Sequence, residues 1–302
     1  MNKRKILIYA LWLYGLSFGF AALFFLSGLG SNMILLSLFM PVYMFFPLIA
    51  VFIVQKLIYK EAVARPLLLT GKPNWWWPVA AILPLLLVGL TALVAILFPG
   101  TTLDLGMENY LGMLDGATAA AMTDLFEMLP FHPLWLLAGQ AFIGGITINA
   151  LFAFGEEIGW RGFLLREFQA LGFWKASLLI GLMWGPWHAP LTLFAGHNYP
   201  STPVFGVLMM TVFCMLISPI ISFITIKSRS VLAAAFFHGV INGSASLGIM
   251  IVAGGNPELL NGLTGLAGFI VLLVVNGLIF ITTRGTINEN YKAVFARAER
   301  TT

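Results

Sequence analysis

The chain has 302 residues, of which 60 % are hydrophobic and only 9 % charged, and its mean hydropathy is +0.94. A water-soluble domain of this length carries charge on roughly one residue in four, so a soluble globular protein is excluded and a polytopic membrane protein is indicated. The single cysteine, Cys214, excludes an internal disulfide, no CxxC or zinc-finger spacing occurs, and the net charge of +4 is informative only through its distribution.

Apolar runs of about 20 residues, long enough to span a bilayer, fall at Ile6–Leu26, Met33–Ile58, Val79–Phe98, Leu134–Phe154, Trp174–Phe194, Phe205–Ile226, Val231–Val252 and Gly262–Thr283. The fold class expected is all-α, with eight transmembrane helices and both termini cytoplasmic. The first run follows Lys3, Arg4 and Lys5 like a signal peptide. It is too long for an h-region and a second span follows at once, so it reads as a retained helix.

Threading eight spans from a cytoplasmic N-terminus places every basic residue on the inner side: Lys3, Arg4 and Lys5, then Lys56, Lys60, Arg65 and Lys72, then Arg161, Arg166 and Lys175, then Lys227 and Arg229, then Arg284, Lys292, Arg297 and Arg300. The outer loops receive Asp104, Glu108, Asp115, Asp124, Glu127 and Glu258 and no Lys or Arg. That split supports the helix count and the orientation together. Trp75, Trp76 and Trp77 before the third span read as an interfacial anchor. In the outer loop, 101–133, Leu103, Met107, Tyr110, Leu111 and Leu114 recur at helical spacing and predict a helix lying on the outer surface. The chain reads as one integral membrane domain, 1–302, with a short tail over Gly285–Thr302 and a motif-bearing core at about 134–252.

Ionisable groups in lipid are costly and usually functional. Those expected within spans are Glu156, Glu157 and Arg161 on the fourth, His188 in "MWGPWHAP" on the fifth, and His238 and Asn242 in "FFHGVINGS" on the seventh. His132 and His197 fall in outer loops and read as unrelated; Asn149 and Asn276 read as interhelical hydrogen-bonding residues. At about 1.5 Å per residue, His188 lies roughly 20 Å and His238 roughly 16 Å from the cytoplasmic end. Glu156 reaches a similar depth if the fourth helix continues through Arg166 to about Leu171, which the apolar face of Phe163, Leu164 and Phe168 favours. Glu157 and Arg161 are spaced i, i+4 for an ion pair, and His238 and Asn242 share a face by the same spacing. Pro186 and Pro190 bracket His188 and predict a distorted helix with freed carbonyls.

Against this stand plainer readings: interfacial charge for the glutamates, packing for a lone histidine, interhelical glue for an asparagine. The coincidence of type and depth on three helices favours a site. A desolvated carboxylate is a general base toward water, an imidazole can relay the proton, and a second imidazole with an amide can hold an oxyanion. Two histidines and a glutamate could instead ligate zinc, but no HExxH is present. Cys214 has no evident partner for nucleophilic catalysis, and Ser244 and Ser246 lie too near His238 along the helix for an easy dyad.

"EEIGWR" has the form EExxxR, "WGPWH" resembles an FxxxH element and "HGVIN" has the form HxxxN. In this order, on the fourth, fifth and seventh of eight spans, they resemble the CAAX prenyl endopeptidase and bacteriocin-processing (CPBP or ABI) family of intramembrane proteases. The resemblance implies that Glu156 activates water with His188 assisting, that His238 and Asn242 form the oxyanion site, and that Glu157 and Arg161 support them. Trp184 stands where the family pattern has Phe and is expected to shape the substrate pocket. The family is described both as zinc-dependent and as metal-free; no cofactor is the expectation favoured here. The substrate implied is a membrane-associated peptide or protein, with or without a lipid, cleaved in the cell membrane (or endoplasmic reticulum) at a site open to the cytoplasm; no nucleic-acid partner is implied. The alternatives are a non-catalytic immunity or scaffold protein of the same fold and a proton-coupled transporter.

Overall fold

The computed structural model describes residues 1–69 and 72–300; Thr70, Gly71, Thr301 and Thr302, the last two at the end of the expected tail, lie outside the described residues. Among the described residues, eight helices are long and apolar enough to cross a membrane: Lys3–Leu26, Met33–Ile58, Trp76–Ala95, Pro133–Glu167, Phe173–Ala195, Pro203–Ser228, Val231–Met250 and Pro257–Thr282. With so little charge and so much apolar surface turned outward, among it Leu23, Leu86, Leu208 and Leu273, this is an integral membrane protein.

The fourth helix is the longest at 35 residues and runs on through Glu167, so Glu156 lies well inside the helix. Two of its stretches, Gly145–Asn149 and Ile158–Leu164, are wound as wider π-turns on either side of the glutamate pair, a distortion frequent at functional sites. The fifth helix breaks where the prolines require. His188 sits between Phe173–Trp187 and Ala189–Ala195, and its backbone N–H turns to the Gly185 carbonyl. The first helix is part of the bundle, with Tyr9, Leu13 and Ser17 buried and Ser17 Oγ accepting from Trp187 Nε1 at 3.1 Å.

Small residues set the helix spacing at the centre. A Cβ at Gly145 would sit 2.7 Å from the Val240 Cα, and one at Gly181 would sit 2.5 Å from the Met215 Cα. The fourth helix therefore meets the seventh, and the fifth meets the sixth, backbone against backbone.

The two ends differ. At one, Lys5 Nζ bonds Glu61 (2.7 Å) and Glu167 (2.9 Å), and Arg166 joins Glu61 at 3.2 Å. Asn74 donates to the Lys227 and Ser228 carbonyls. The expected tail is a helix, Ile287–Arg300, which buries Ile287, Tyr291 and Phe295 and fastens Asn288 Oδ1 to the Phe173 N–H at 2.8 Å. Trp76 and Trp77 pack edge-on against Phe223 and Phe236 at this end, and Trp75 is exposed.

At the other end the loop after the third span differs from its helical spacing. Thr101–Leu103 (β1) pairs antiparallel with Val252–Gly254 (β2). The helices are Glu108–Leu111 and Gly116–Met128, and Asp115 caps the second by accepting from the Thr118 N–H. Strand pairing consumes Leu103, and Asp115 starts a helix where the apolar spacing ends.

Candidate active site

Glu156, Glu157 and Arg161 are all buried on the fourth helix, with exposures of 2, 0 and 0 %. Arg161 is a core residue of the fourth span, as expected, and not a loop residue of the inner side among which it was also counted. Arg161 bonds Glu157 Oε1 at 2.9 Å and Ser218 Oγ at 3.0 Å. Glu157 Oε1 also meets His238 Nδ1 at 2.8 Å. The carboxylate therefore pairs with a guanidinium and orients an imidazole at once, a link that spacing alone does not reveal. With Nδ1–H donating to Glu157, His238 turns Nε2 to its other side.

Glu156 is held differently. Its Oε2 accepts from Trp184 Nε1 at 2.8 Å and from Trp160 Nε1 at 3.4 Å. Its Oε1 accepts from no described residue. Trp184 also lies under Arg161, with the guanidinium 4.7 Å from the ring centroid, and meets His238 edge-on at 5.2 Å. The indole thus contacts all three helices of the site, which a phenylalanine could do only without the N–H.

The carbonyl of Trp184 accepts from His188 Nδ1 at 3.0 Å. It is free to do so because the His188 backbone N–H has moved to Gly185. A carbonyl only accepts, so Nδ1 carries the proton and Nε2 keeps its lone pair. His188 does not bond Glu156 among the described residues. Its ring is instead parallel to that of His197, 6.1 Å away at 6°. His197, expected to be unrelated because it lies in an outer loop, is placed at the site by the turn after the fifth helix. Burial pushes its imidazole down to about 4, so at neutral pH it is uncharged. His132, the other loop histidine, caps the fourth helix by accepting from the Leu134 N–H.

These groups border a cavity of about 310 Å³ whose walls are mostly apolar, with Met40, Met44, Phe152, Met210 and Phe213 among them. Glu156, Trp184, His188, His238 and Asn242 all line it; so do Asn149, His197 and Asn198. Asn149 thus belongs to the cavity rather than acting only as interhelical glue, whereas Asn276 does bridge helices, donating to the Leu216 carbonyl at 2.7 Å. Glu157 and Arg161 stay behind the wall. Among the described residues, no three His, Cys, Asp or Glu side chains converge closely enough to hold a metal ion. Cys214 Sγ is 4.0 Å from His188 Nδ1, fully buried and outside the cavity lining.

A site in which a carboxylate, two imidazoles and an amide face one apolar cavity lies wholly within residues 130–244, which match the family model of type II CAAX prenyl endopeptidase Rce1-like proteins. The segment is similar to that family. A curated relative named CAAX prenyl protease 2, from Methanococcus maripaludis, is 31 % identical over 107 residues, covering 33 % of this chain and 39 % of the relative. The match thus spans little more than a third of the relative's length. The Rce1-like segment holds every motif residue from Glu156 to Asn242, and the family expected from the three motifs is the family it matches.

Proposed function

We propose that the protein is an intramembrane endopeptidase that hydrolyses a peptide bond of a membrane-anchored substrate with water activated by Glu156. The observation that carries this reading is the asymmetry of Glu156: one carboxylate oxygen is held by two indoles and the other is left toward an apolar cavity. A carboxylate so placed is oriented without being neutralised.

In this reading the scissile carbonyl lies between Glu156 and the His238–Asn242 pair. Glu156 Oε1 takes a proton from water as its oxygen adds to the carbonyl carbon. The oxyanion that forms is held by the Asn242 amide N–H and, with His238 carrying a proton on both ring nitrogens, by its Nε2–H. The proton taken by Glu156 passes to the amide nitrogen, the C–N bond breaks to give a carboxylic acid and an amine, and the acid's proton passes to the amine, so a carboxylate and an ammonium leave. His188 Nε2 accepts and returns a proton beside the attacking water. No step runs through a metal. The apolar wall of Met40, Met44, Phe152 and Phe213 suits an acyl or isoprenyl chain or an apolar peptide segment.

The test is cleavage of a farnesylated C-terminal peptide and of acylated and transmembrane peptides by purified protein. Turnover that disappears in Glu156→Gln while the protein stays folded, and that survives exhaustive chelation, supports the reading. Full turnover in Glu156→Gln, or proton-coupled uptake into proteoliposomes with no cleavage, overturns it.

A further inference from the structure

The cavity does not lead to the end of the molecule that carries the basic residues. Below Glu156 the fourth helix is packed solid: Trp160, Phe163, Leu164 and Leu165 have no exposure. The segment before the third span folds back against it. Leu67 is fully buried, the Leu68 carbonyl accepts from the Val231 N–H at 3.1 Å, and a Cβ at Gly162 would lie 3.3 Å from that of Leu67. The helix Ile287–Arg300 adds another layer, with the Tyr291 hydroxyl donating to the Leu165 carbonyl.

Toward the opposite end the lining continues outward through His197 and Asn198, in the loop after the fifth span, and Leu263 and Thr264, at the start of the eighth. Asn198 and Asn242 are both exposed. Tyr199 ties these two segments together through the Thr264 carbonyl at 2.7 Å. This is the end with the β1–β2 pair and the acidic loops. Those loops hold Asp104, Glu108, Asp115, Asp124, Glu127 and Glu258 and no Lys or Arg, whereas the loops at the closed end are lysine- and arginine-rich. A bias of that kind places the basic end in the cytoplasm.

We infer that the cavity is entered from the extracytoplasmic side, so that the substrate is a translocated peptide held in the outer leaflet by an apolar anchor and not a cytoplasmic tail. This reverses the cytoplasmic mouth expected from the sequence and rests on the protease reading above for its substrate, though not for its geometry. The apolar wall takes the anchor, and the polar groups at the cavity floor take the peptide bond beside it. The class of reaction that supplies such a substrate is membrane translocation, with or without acylation, rather than cytoplasmic prenyl transfer.

The test has two arms. In intact cells, a membrane-impermeant maleimide is expected to label Asn198→Cys and to label Lys292→Cys only after permeabilisation; native Cys214, fully buried, is the internal control. Labelling of Lys292→Cys but not Asn198→Cys in intact cells, or of both, overturns the inference. In the second arm an impermeant fluorogenic peptide with an N-terminal palmitoyl chain is added to right-side-out and inverted vesicles, with Glu156→Gln vesicles as the blank. Cleavage confined to right-side-out vesicles supports the inference. Cleavage confined to inverted vesicles, or equal in both, overturns it and leaves the protease reading intact. No cleavage of this peptide or of the farnesylated one in vesicles or detergent overturns the protease reading, while the labelling arm still decides the orientation.

Discussion

The Trp184 indole donates to Glu156 across 2.8 Å while its face supports the Arg161 guanidinium 4.7 Å away. One side chain thereby orients the carboxylate proposed to activate water and touches the charge network behind it. Trp184→Phe keeps the aromatic wall and removes only the N–H. A hydrogen bond to a charged group is worth about 2 kcal/mol, so kcat is expected to fall roughly thirtyfold with KM little changed. A steady-state comparison of the two proteins checks this; a change confined to KM would make Trp184 a pocket wall only.

Glu156→Gln removes the proposed base but keeps an oxygen to accept from the indoles, so the fold is expected to survive. Turnover is expected to drop by about 10²–10⁴, the usual contribution of a positioned general base. Asn242→Ala removes one oxyanion donor, with an expected loss of about 10²–10³ in kcat. Both are read against size-exclusion profiles that match the parent protein.

Glu157 is the structural counterpart of Glu156. Removing it leaves Arg161 without an ion-pair partner among the described residues and leaves His238 unoriented, at a cost of about 3–5 kcal/mol for breaking a buried pair. Glu157→Ala is expected to lower the thermal midpoint in detergent sharply. Glu157→Gln with Arg161→Met should recover the fold, because both buried charges are gone, yet recover no activity, because His238 still lacks its carboxylate.

At the basic end, partial burial pushes the Glu61 carboxyl up, and the hydrogen bonds and charges of Lys5 and Arg166 push it down further, for a net lowering from 4.5. A carboxyl lowered in the fold stabilises it above its unfolded value and loses that contribution as the pH falls through its folded value. Thermal stability is therefore expected to decline on acidification below about pH 4.5. In Glu61→Gln this part of the decline should be absent, and melting curves between pH 3 and 7 (roughly the window in which Asp and Glu titrate) compare the two.

Much of this was legible before any coordinates. Helical spacing fixes which residues share a face, so the Glu157–Arg161 pair and the common side of His238 and Asn242 follow from sequence. Lipid as solvent makes Glu156 and His188 conspicuous. Spacing does not fix how far each helix is rotated against its neighbours, and that depends on close contacts such as Gly181 against Met215. The His238–Glu157 and Trp184–Glu156 bonds arise at that level. His197 escapes for another reason: its position depends on how a non-periodic loop folds back. The closure of the basic end escapes likewise, since Leu67 and Leu68 lie in a short apolar stretch that no span-length window selects.

The contact between the fourth and seventh helices has a consequence for how the site tolerates change. A methyl group at Gly239 would overlap the Gly145 carbonyl oxygen and lie 2.5 Å from the Ala150 nitrogen, and Gly239 directly follows His238. Gly239→Ala carries no reactive group and loses none. It would nonetheless wedge apart the two rods that carry the acid and the imidazole, and a displacement of about 1 Å is enough to cost two orders of magnitude in rate. In this protein the smallest possible side chain is a spacer of fixed thickness, and enlarging it by one carbon should silence the proposed hydrolysis while leaving every functional group in place.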